Sequence, residues 1–122
     1  MLKFYVFSTL VHAFRKGNII KMPEINNLKK YKNIHMIGIG GVSMSGIAAI
    51  LKNWGFHVTG SDRCQSETTN KLNELGIKVT IGHNIDDVNT SDLVVYSAAI
   101  KDEDPEMQTA HLSGIPTMER AD

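Results

Sequence analysis

The segment HMIGIGGVSMSG, residues 35–46, constrains the fold most, because an apolar strand in it runs directly into a glycine-rich turn and then into a helix. Gly38 and Gly40 allow a tight turn in which the backbone can approach a ligand without an intervening Cβ atom. The N–H groups that follow lie at the positive end of the helix dipole. This strand, turn and helix favour a nucleotide ligand that carries a diphosphate.

The residues on both sides of the turn support this arrangement. Residues 33–37 are apolar enough for a parallel strand that is buried on both faces. Apolar residues at helical spacing follow the turn, and Gly55 stands where a left-handed cap would end the helix. Ser43 replaces the third glycine of a dinucleotide fingerprint, so the glycine spacing by itself does not decide which nucleotide binds.

A carboxylate follows the second predicted strand. The strand at residues 56–60 leads into Ser61 and Asp62. Asp62 lies about twenty residues beyond the glycine turn, where a carboxylate reaches the ribose hydroxyls of a nucleotide. The alternative is that Asp62, or Ser66 just beyond it, only caps the next helix.

Helices and strands continue to alternate along the rest of the chain. Gly76 ends a helix predicted over residues 67–75, and Asp104 and Pro105 open a later one. Further strands are predicted at residues 77–81, 93–97 and 115–118. The sequence therefore predicts an α/β, Rossmann-like fold with about five parallel strands and helices on both faces.

Composition excludes several classes of function. Net charge is zero, but residues 1–32 hold seven of the 13 basic residues and one of the 13 acidic ones, which leaves the remainder acidic. An acidic core repels a phosphate backbone and the basic leader has no periodic stripe, so no nucleic-acid partner is predicted. The single cysteine, Cys64, fits a reducing compartment. The five histidines lack zinc-site spacing, so no metal site is predicted.

Residues 1–30 are predicted to be a basic leader, disordered or a non-native start, and residues 31–122 to be the folded domain. Met22 followed by Pro23 resembles a natural start, so residues 1–21 are left out of the predicted fold. The apolar residues 4–11 are too few to span a membrane, and no membrane partner is predicted. A signal peptide with a poor cleavage site at residues 11–13 is the alternative for this segment.

Four motifs in combination resemble the N-terminal domain of the bacterial Mur ligases. They are HMIGIGGVSMSGIA at residues 35–48, Gly60-Ser61-Asp62, Ile81-Gly82-His83 and Tyr96-Ser97-Ala98-Ala99-Ile100. The resemblance covers residues 33–122. Within the family, the motifs are most similar to the branch that adds L-alanine, because the muropeptide-recycling branch usually has cysteine where this chain has Gly41.

The resemblance implies a ligand and a set of contact residues. The N-terminal domain of this family binds the UDP part of UDP-N-acetylmuramic acid. The residues implied for the diphosphate are Gly38, Ile39, Gly40, Gly41, Val42, Ser43, Met44 and Ser45, through backbone N–H groups and the two serine hydroxyls. Those implied for the ribose and uracil are Ser61, Asp62, His83, Ser97, Ala98, Ala99 and Ile100. Alternatively, the two serines only start the helix and His83 is a loop residue without a ligand.

The resemblance also implies a reaction in the bacterial cytoplasm. ATP and Mg²⁺ serve to phosphorylate the muramyl carboxylate, which the amine of L-alanine then attacks. This chain has no Gly-x-x-x-x-Gly-Lys-Ser/Thr loop for ATP, so no catalytic residue and no cofactor is assigned to it. It is expected to be the first domain of a longer ligase and inactive alone, with ATP, Mg²⁺ and L-alanine bound only by the full-length enzyme.

Two other functions compete with this interpretation. An NAD(P)-binding domain of an oxidoreductase also uses a Gly-x-Gly turn and a ribose carboxylate, although Ser43 and the short chain fit it less well. A non-catalytic nucleotide sensor that signals through the basic leader is the other alternative. The leader shows no periodic partner-binding feature that would favour it.

Overall fold

The computed structural model of the chain describes residues 2–3 and 30–120. The strands are β1 (Leu2–Lys3), β2 (Asn33–Ile37), β3 (His57–Asp62), β4 (Lys78–Ile81), β5 (Leu93–Ser97) and β6 (Thr117–Arg120). The helices are α1 (Val42–Asn53), α2 (Glu67–Glu74), α3 (Ile85–Asn89) and α4 (Pro105–Leu112). The strands form one sheet in the order β1-β6-β5-β2-β3-β4, and every neighbouring pair is parallel.

The sheet confirms the predicted α/β class. All five predicted strands are present, within one or two residues of their expected ends. The short helix α3 was not predicted, because five residues are too few to show a helical period. Its first turn is fixed instead by Asn84, whose side chain accepts from the Asp87 N–H at 3.0 Å.

Two residues near the start of the predicted leader lie within the described part of the chain. Leu2 and Lys3 form β1 and pair with Met118 and Glu119 of β6, so they belong to the sheet rather than lying outside the fold. A sheet edge offers unpaired backbone groups to any segment that can reach it, and a two-residue strand carries no pattern from which the sequence could predict it. The predicted start and cleavage features fall within residues 4–29, outside the described residues.

The core lies on both faces of the sheet, as a buried parallel sheet requires. Ile34 and Met36 of β2 face one cluster, which α1 and α2 cover, whereas Ile37 faces a second cluster beneath α3 and α4. In β5, Val94 faces the second cluster, opposite to its neighbours in the strand. This two-sided burial explains why these strands are continuous apolar runs rather than alternating ones.

Local capping explains where the helices begin and end. Ser66 caps α2, since its hydroxyl accepts from the Thr69 N–H at 3.2 Å, so the helix cap is Ser66 and not Asp62. Asp104 caps α4, with Pro105 in the first turn as predicted. Gly55 follows α1 with a φ of 98°, a conformation that glycine adopts without strain.

Candidate functional site

The parallel strands bring several loops to one edge of the sheet, which we call the carboxyl edge: the side where β2, β3, β4 and β5 end. A cavity of about 500 Å³ opens there. It is lined by Ile37, Gly38, Ser61, Asp62, Arg63, Gly82, His83, Ala99, Ile100, Lys101, Glu103, Asp104 and Glu106. Ligands of open α/β sheets bind outside the carboxyl ends of the strands, so this cavity is the candidate site.

The glycine turn uses most of its own N–H groups to hold itself against β3. The N–H groups of Gly38 and Ile39 both donate to the Ser61 carbonyl, at 2.8 and 3.0 Å. The Gly40 N–H donates to Asp62 Oδ2 at 2.8 Å, and the Gly41 N–H donates to the Gly38 carbonyl at 3.3 Å. These four groups position the turn, although the resemblance implied that Gly38, Ile39, Gly40 and Gly41 contact the diphosphate directly.

The first turn of α1 retains free donors. The N–H groups of Val42, Ser43 and Met44 have no acceptor among the described residues, and α1 has no side-chain cap. The Ser43 side chain is exposed. The Ser45 hydroxyl, by contrast, donates its only proton to the Val42 carbonyl at 3.0 Å, and its N–H donates to Gly41. The helix start therefore offers three N–H groups and the Ser43 hydroxyl to an anion.

Asp62 lies between this turn and the cavity. Its Oδ2 accepts from Gly40 and its Oδ1 accepts from the Cys64 N–H at 3.3 Å. The carboxylate packs so closely on the turn that a Cβ on Gly40 would come within 2.7 Å of Oδ2. Asp62 thus holds the turn and still has lone pairs available to a ligand in the cavity.

The remaining predicted contacts divide into two groups. His83 lines the cavity beside Gly82, and Ala99 and Ile100 line it after β5. Ser97 and Ala98 are outside the cavity lining, where the Ser97 carbonyl accepts from the Ile100 N–H at 3.0 Å and shapes the turn. Ser61 also lines the cavity, but it is 1 % exposed and its hydroxyl donates to Glu106.

A buried charged network, which the sequence did not reveal, lies beneath the cavity. Glu106 of α4 is fully buried, and its carboxylate accepts from four groups. We call Glu106, these four groups and Thr59, which bonds to His35, the Glu106 network. His35 Nε2 and the Asn84 N–H reach Oε1 at 2.7 and 3.3 Å. The Ser61 hydroxyl and His83 Nδ1 reach Oε2 at 2.7 and 3.1 Å. The network therefore connects the sheet interior to the wall of the cavity.

One signal in the sequence could have indicated the network. His35 stands in the middle of an otherwise apolar, doubly buried strand, where a polar ring must find partners. In the structure its Nδ1 lies 2.8 Å from the Thr59 hydroxyl and its Nε2 bonds to Glu106. The partner could not be found from spacing, because 71 residues separate His35 from Glu106.

The environment of Glu106 keeps it ionised. Burial alone would raise its pKa, but the hydrogen bonds from His35, Ser61 and His83 outweigh burial and lower the pKa to about 2 from an ordinary 4.5. A carboxylate accepts but does not donate, so His35 Nε2 and His83 Nδ1 both carry protons toward it.

This pKa predicts an acid-dependent loss of stability. Because the folded pKa lies below the ordinary value, the stabilisation from Glu106 is complete above about pH 4.5 and is lost as the pH falls toward 2. Urea unfolding across this interval should show the midpoint falling more steeply for the unaltered chain than for Glu106→Gln, which has no carboxyl to protonate. Parallel pH profiles for the two proteins would contradict this assignment.

The same residues do not form a convincing metal site. His83, Asp104 and Glu106 can each place one ligand atom within 4.8 Å of the others. However, Asp104 Oδ1 accepts from the N–H groups of Glu106 and Met107, and both Glu106 oxygens already accept two hydrogen bonds. These oxygens serve helix capping and the Glu106 network, and we assign no metal to them.

Comparison with known proteins shows the family of the chain. Residues 33–122 match the model of the Mur ligase family, catalytic domain. The chain belongs to the Mur ligase family. This match covers both the glycine turn and the Glu106 network, and it favours a Mur ligase over an NAD(P)-dependent oxidoreductase.

Individual Mur ligases show how much of the chain is shared. The chain is 52% identical over 92 residues to a UDP-N-acetylmuramate--L-alanine ligase from Acetivibrio thermocellus, covering 75% of this chain and 20% of that protein. It is similar to the crystal structure of UDP-N-acetylmuramate-alanine ligase from Thermotoga maritima, with a TM-score of 0.69 and 36% identity over 74% of this chain and 21% of that one.

A second structure in the family broadens the comparison. The UDP-N-acetylmuramate:L-alanyl-gamma-D-glutamyl-meso-diaminopimelate ligase from Neisseria meningitides has a TM-score of 0.66 and 33% identity, covering 72% of this chain and 28% of that one. The chain thus spans about a fifth of the length of the curated relatives it matches. None of the helices in residues 30–120 has the length and apolar character needed to cross a bilayer.

Proposed function

We propose that this domain binds the UDP part of UDP-N-acetylmuramic acid, as the nucleotide-sugar-binding part of a ligase that adds L-alanine to it in bacterial peptidoglycan precursor synthesis. The observation that carries the proposal is the cavity at the carboxyl edge, which is lined by Gly38 of the glycine turn and by Asp62, the acceptor of the Gly40 N–H. Relatives at about half identity are named for the same substrate and amino acid, which supports the choice of ligand.

Each part of the ligand has suitable chemistry in this proposal. The diphosphate receives hydrogen bonds from the free N–H groups of Val42, Ser43 and Met44 and from the Ser43 hydroxyl, at the positive end of the helix dipole. The turn residues Gly38, Ile39, Gly40 and Gly41 allow this close approach.

Asp62 accepts from the ribose hydroxyls. Arg63 and Lys101 also line the cavity and bring positive charge to a ligand that carries a doubly anionic diphosphate. His83, Ala99 and Ile100 form the wall that the uracil would contact.

ATP, Mg²⁺ and L-alanine belong elsewhere in the proposed enzyme. The glycine turn lacks the Gly-Lys-Ser/Thr of an ATP loop, and its nearest charged group is a carboxylate, so the described residues do not fit an ATP site. No catalytic step is therefore assigned to this chain. We place the full reaction in the cytoplasm, where the family's precursor synthesis occurs.

Titration with UDP-N-acetylmuramic acid, and separately with NAD and NADP, tests the proposal. We expect a heat of binding and shifts of the amide signals of residues 38–46 with the sugar nucleotide, and neither effect with NAD or NADP. Binding of a nicotinamide cofactor without the sugar nucleotide would overturn the proposal. The free N–H groups give a further check, because the amides of Val42, Ser43 and Met44 should shift most among these residues.

Asp62→Ala is expected to weaken UDP binding by about 1–3 kcal/mol, the usual effect of losing a charge-assisted hydrogen bond. The change removes the proposed ribose acceptor and the acceptor of the Gly40 N–H. Isothermal titration of UDP measures the effect. Asp86→Ala, at an exposed position of α3, changes net charge equally and serves as the matched control. Equal affinities for the two variants would remove Asp62 from the site.

A further inference from the structure

His83 stands between the ligand cavity and the Glu106 network. Its side chain is 44% exposed and lines the cavity, while Nδ1 is 3.1 Å from the buried Glu106 Oε2. The other ring nitrogen, Nε2, has no hydrogen-bond partner among the described residues. Nε2 is therefore the ring nitrogen that is available to a molecule in the cavity.

Glu106 reaches His83 from a rigid position. The residue lies in the first turn of α4, where its own N–H donates to Asp104 Oδ1 at 2.8 Å. Its carboxylate also binds His35 in β2 and Ser61 in β3. Because two strands and a capped helix fix the carboxylate, the ring that bonds to it is held by the sheet rather than by its own exposed loop.

Glu106 also decides which nitrogen of His83 carries the proton. An ionised carboxylate only accepts, so Nδ1 must be the protonated nitrogen of the neutral ring. Nε2 is then a hydrogen-bond acceptor, and the opposite tautomer would present a donor. The orientation and the hydrogen-bonding character of the cavity wall both follow from this one buried residue.

We propose that Glu106 is a positioning residue for nucleotide recognition: it holds the His83 ring as the Nδ1–H tautomer, so that Nε2 accepts a hydrogen bond from the ligand. The proposal rests on the proposed function, since the ligand is taken to be a uridine nucleotide. Two kinds of hydrogen-bond donor in that ligand have the required chemistry: the ribose hydroxyls and the imide N–H of uracil.

The tautomer can be measured without any ligand. In the ¹⁵N-labelled full chain at about pH 9, above the ordinary range for histidine, we expect the ring signals of His83 to show protonation at Nδ1. Glu106→Gln is expected to lose this preference, because an amide can donate as well as accept. Nε2 protonation in the unaltered protein would overturn the proposal, whether or not any variant folds.

Thr59→Val is the matched control for this experiment. Thr59 belongs to the same buried network but bonds only to His35 Nδ1, on the side away from His83. A purely structural effect would disturb His83 equally in Thr59→Val and Glu106→Gln. We expect the control to keep the Nδ1–H form of His83, and its loss in both variants would overturn the specific role of Glu106.

A double-mutant cycle then connects the tautomer to binding. His83→Ala is expected to weaken UDP affinity roughly 5- to 10-fold, as for one lost hydrogen bond, and adding Glu106→Gln should cause no further loss. Additive losses would overturn the proposal. If the unaltered chain binds no UDP, the proposed function fails, and the tautomer measurement still decides the role of Glu106.

Ligand analogues distinguish the two possible donors. Deoxy-ribose UDP lacks a hydroxyl donor and N3-methyl UDP lacks the imide N–H. The analogue without the relevant donor should show no difference between the unaltered chain and His83→Ala. If His83→Ala weakens binding of every analogue as much as binding of UDP, Nε2 accepts from neither group and the proposal is overturned.

Discussion

Replacing Glu106 by alanine is expected to lower the free energy of unfolding by about 3–5 kcal/mol, the range seen when one partner of a buried ionic network is removed. The variant leaves His35 Nε2 without its acceptor inside the sheet and also leaves the Ser61 hydroxyl without one. It creates a cavity as well, because Glu106 is fully buried. Urea unfolding followed by circular dichroism measures the loss.

Glu103→Ala provides the control for this prediction. Glu103 precedes the same helix but is exposed, so its replacement is expected to change the free energy of unfolding by no more than about 0.5 kcal/mol. A loss for Glu106→Ala as small as that for Glu103→Ala would mean that the Glu106 network does not stabilise the fold.

Gly60→Ala is expected to cost about 1–3 kcal/mol of stability and to weaken UDP binding in addition. Gly60 lies in β3 directly beneath the glycine turn, and a Cβ there would come within 2.5–2.8 Å of Ile39. Because one of the atoms met is the Ile39 Cβ, a change of side-chain rotamer cannot relieve the clash, and the backbone of the turn must move. Thermal unfolding and UDP titration of the same sample measure both effects.

Gly46→Ala is the matched control for Gly60→Ala. Gly46 lies inside α1, and a Cβ there would meet nothing within 4 Å. Alanine is favoured over glycine in a helix by about 0.5–1 kcal/mol, so this variant is expected to be more stable than the unaltered chain. Destabilisation by both substitutions would point to a general intolerance of alanine, and not to a close approach of β3 and the turn.

The glycine turn and its flanking elements were predictable because their signals are local. A continuous apolar strand, small residues in the turn and helical spacing after it lie within about twenty residues of each other. The helix caps at Asp104 and Gly55 were predictable for the same reason, because each is signalled by the residue type next to the helix end. The sheet pairing that brings Asp62 back onto Gly40 also follows from a βαβ unit, in which consecutive parallel strands end at the same edge.

The sequence did not predict which N–H groups of the turn donate to β3 and which stay free for a ligand. The N–H groups of Gly38, Ile39 and Gly40 donate to β3 residues rather than to a ligand, and this depends on backbone directions that no residue type specifies. The strand at Leu2–Lys3 was not predictable from the sequence for a related reason, because pairing at a sheet edge depends on which segment of the chain reaches that edge.

The sequence alone determined the α/β class, the glycine turn, the carboxylate at the end of β3 and the resemblance to the Mur ligases, because each rests on short-range periodicity or on a contiguous motif. Only the tertiary structure decided the rest: which N–H groups stay free at the start of α1, and that Glu106 joins His35, Ser61 and His83 beneath the cavity. These residues lie 23 to 71 positions from Glu106 along the chain. A buried charge finds its partners through space, so packing and not spacing brings them together.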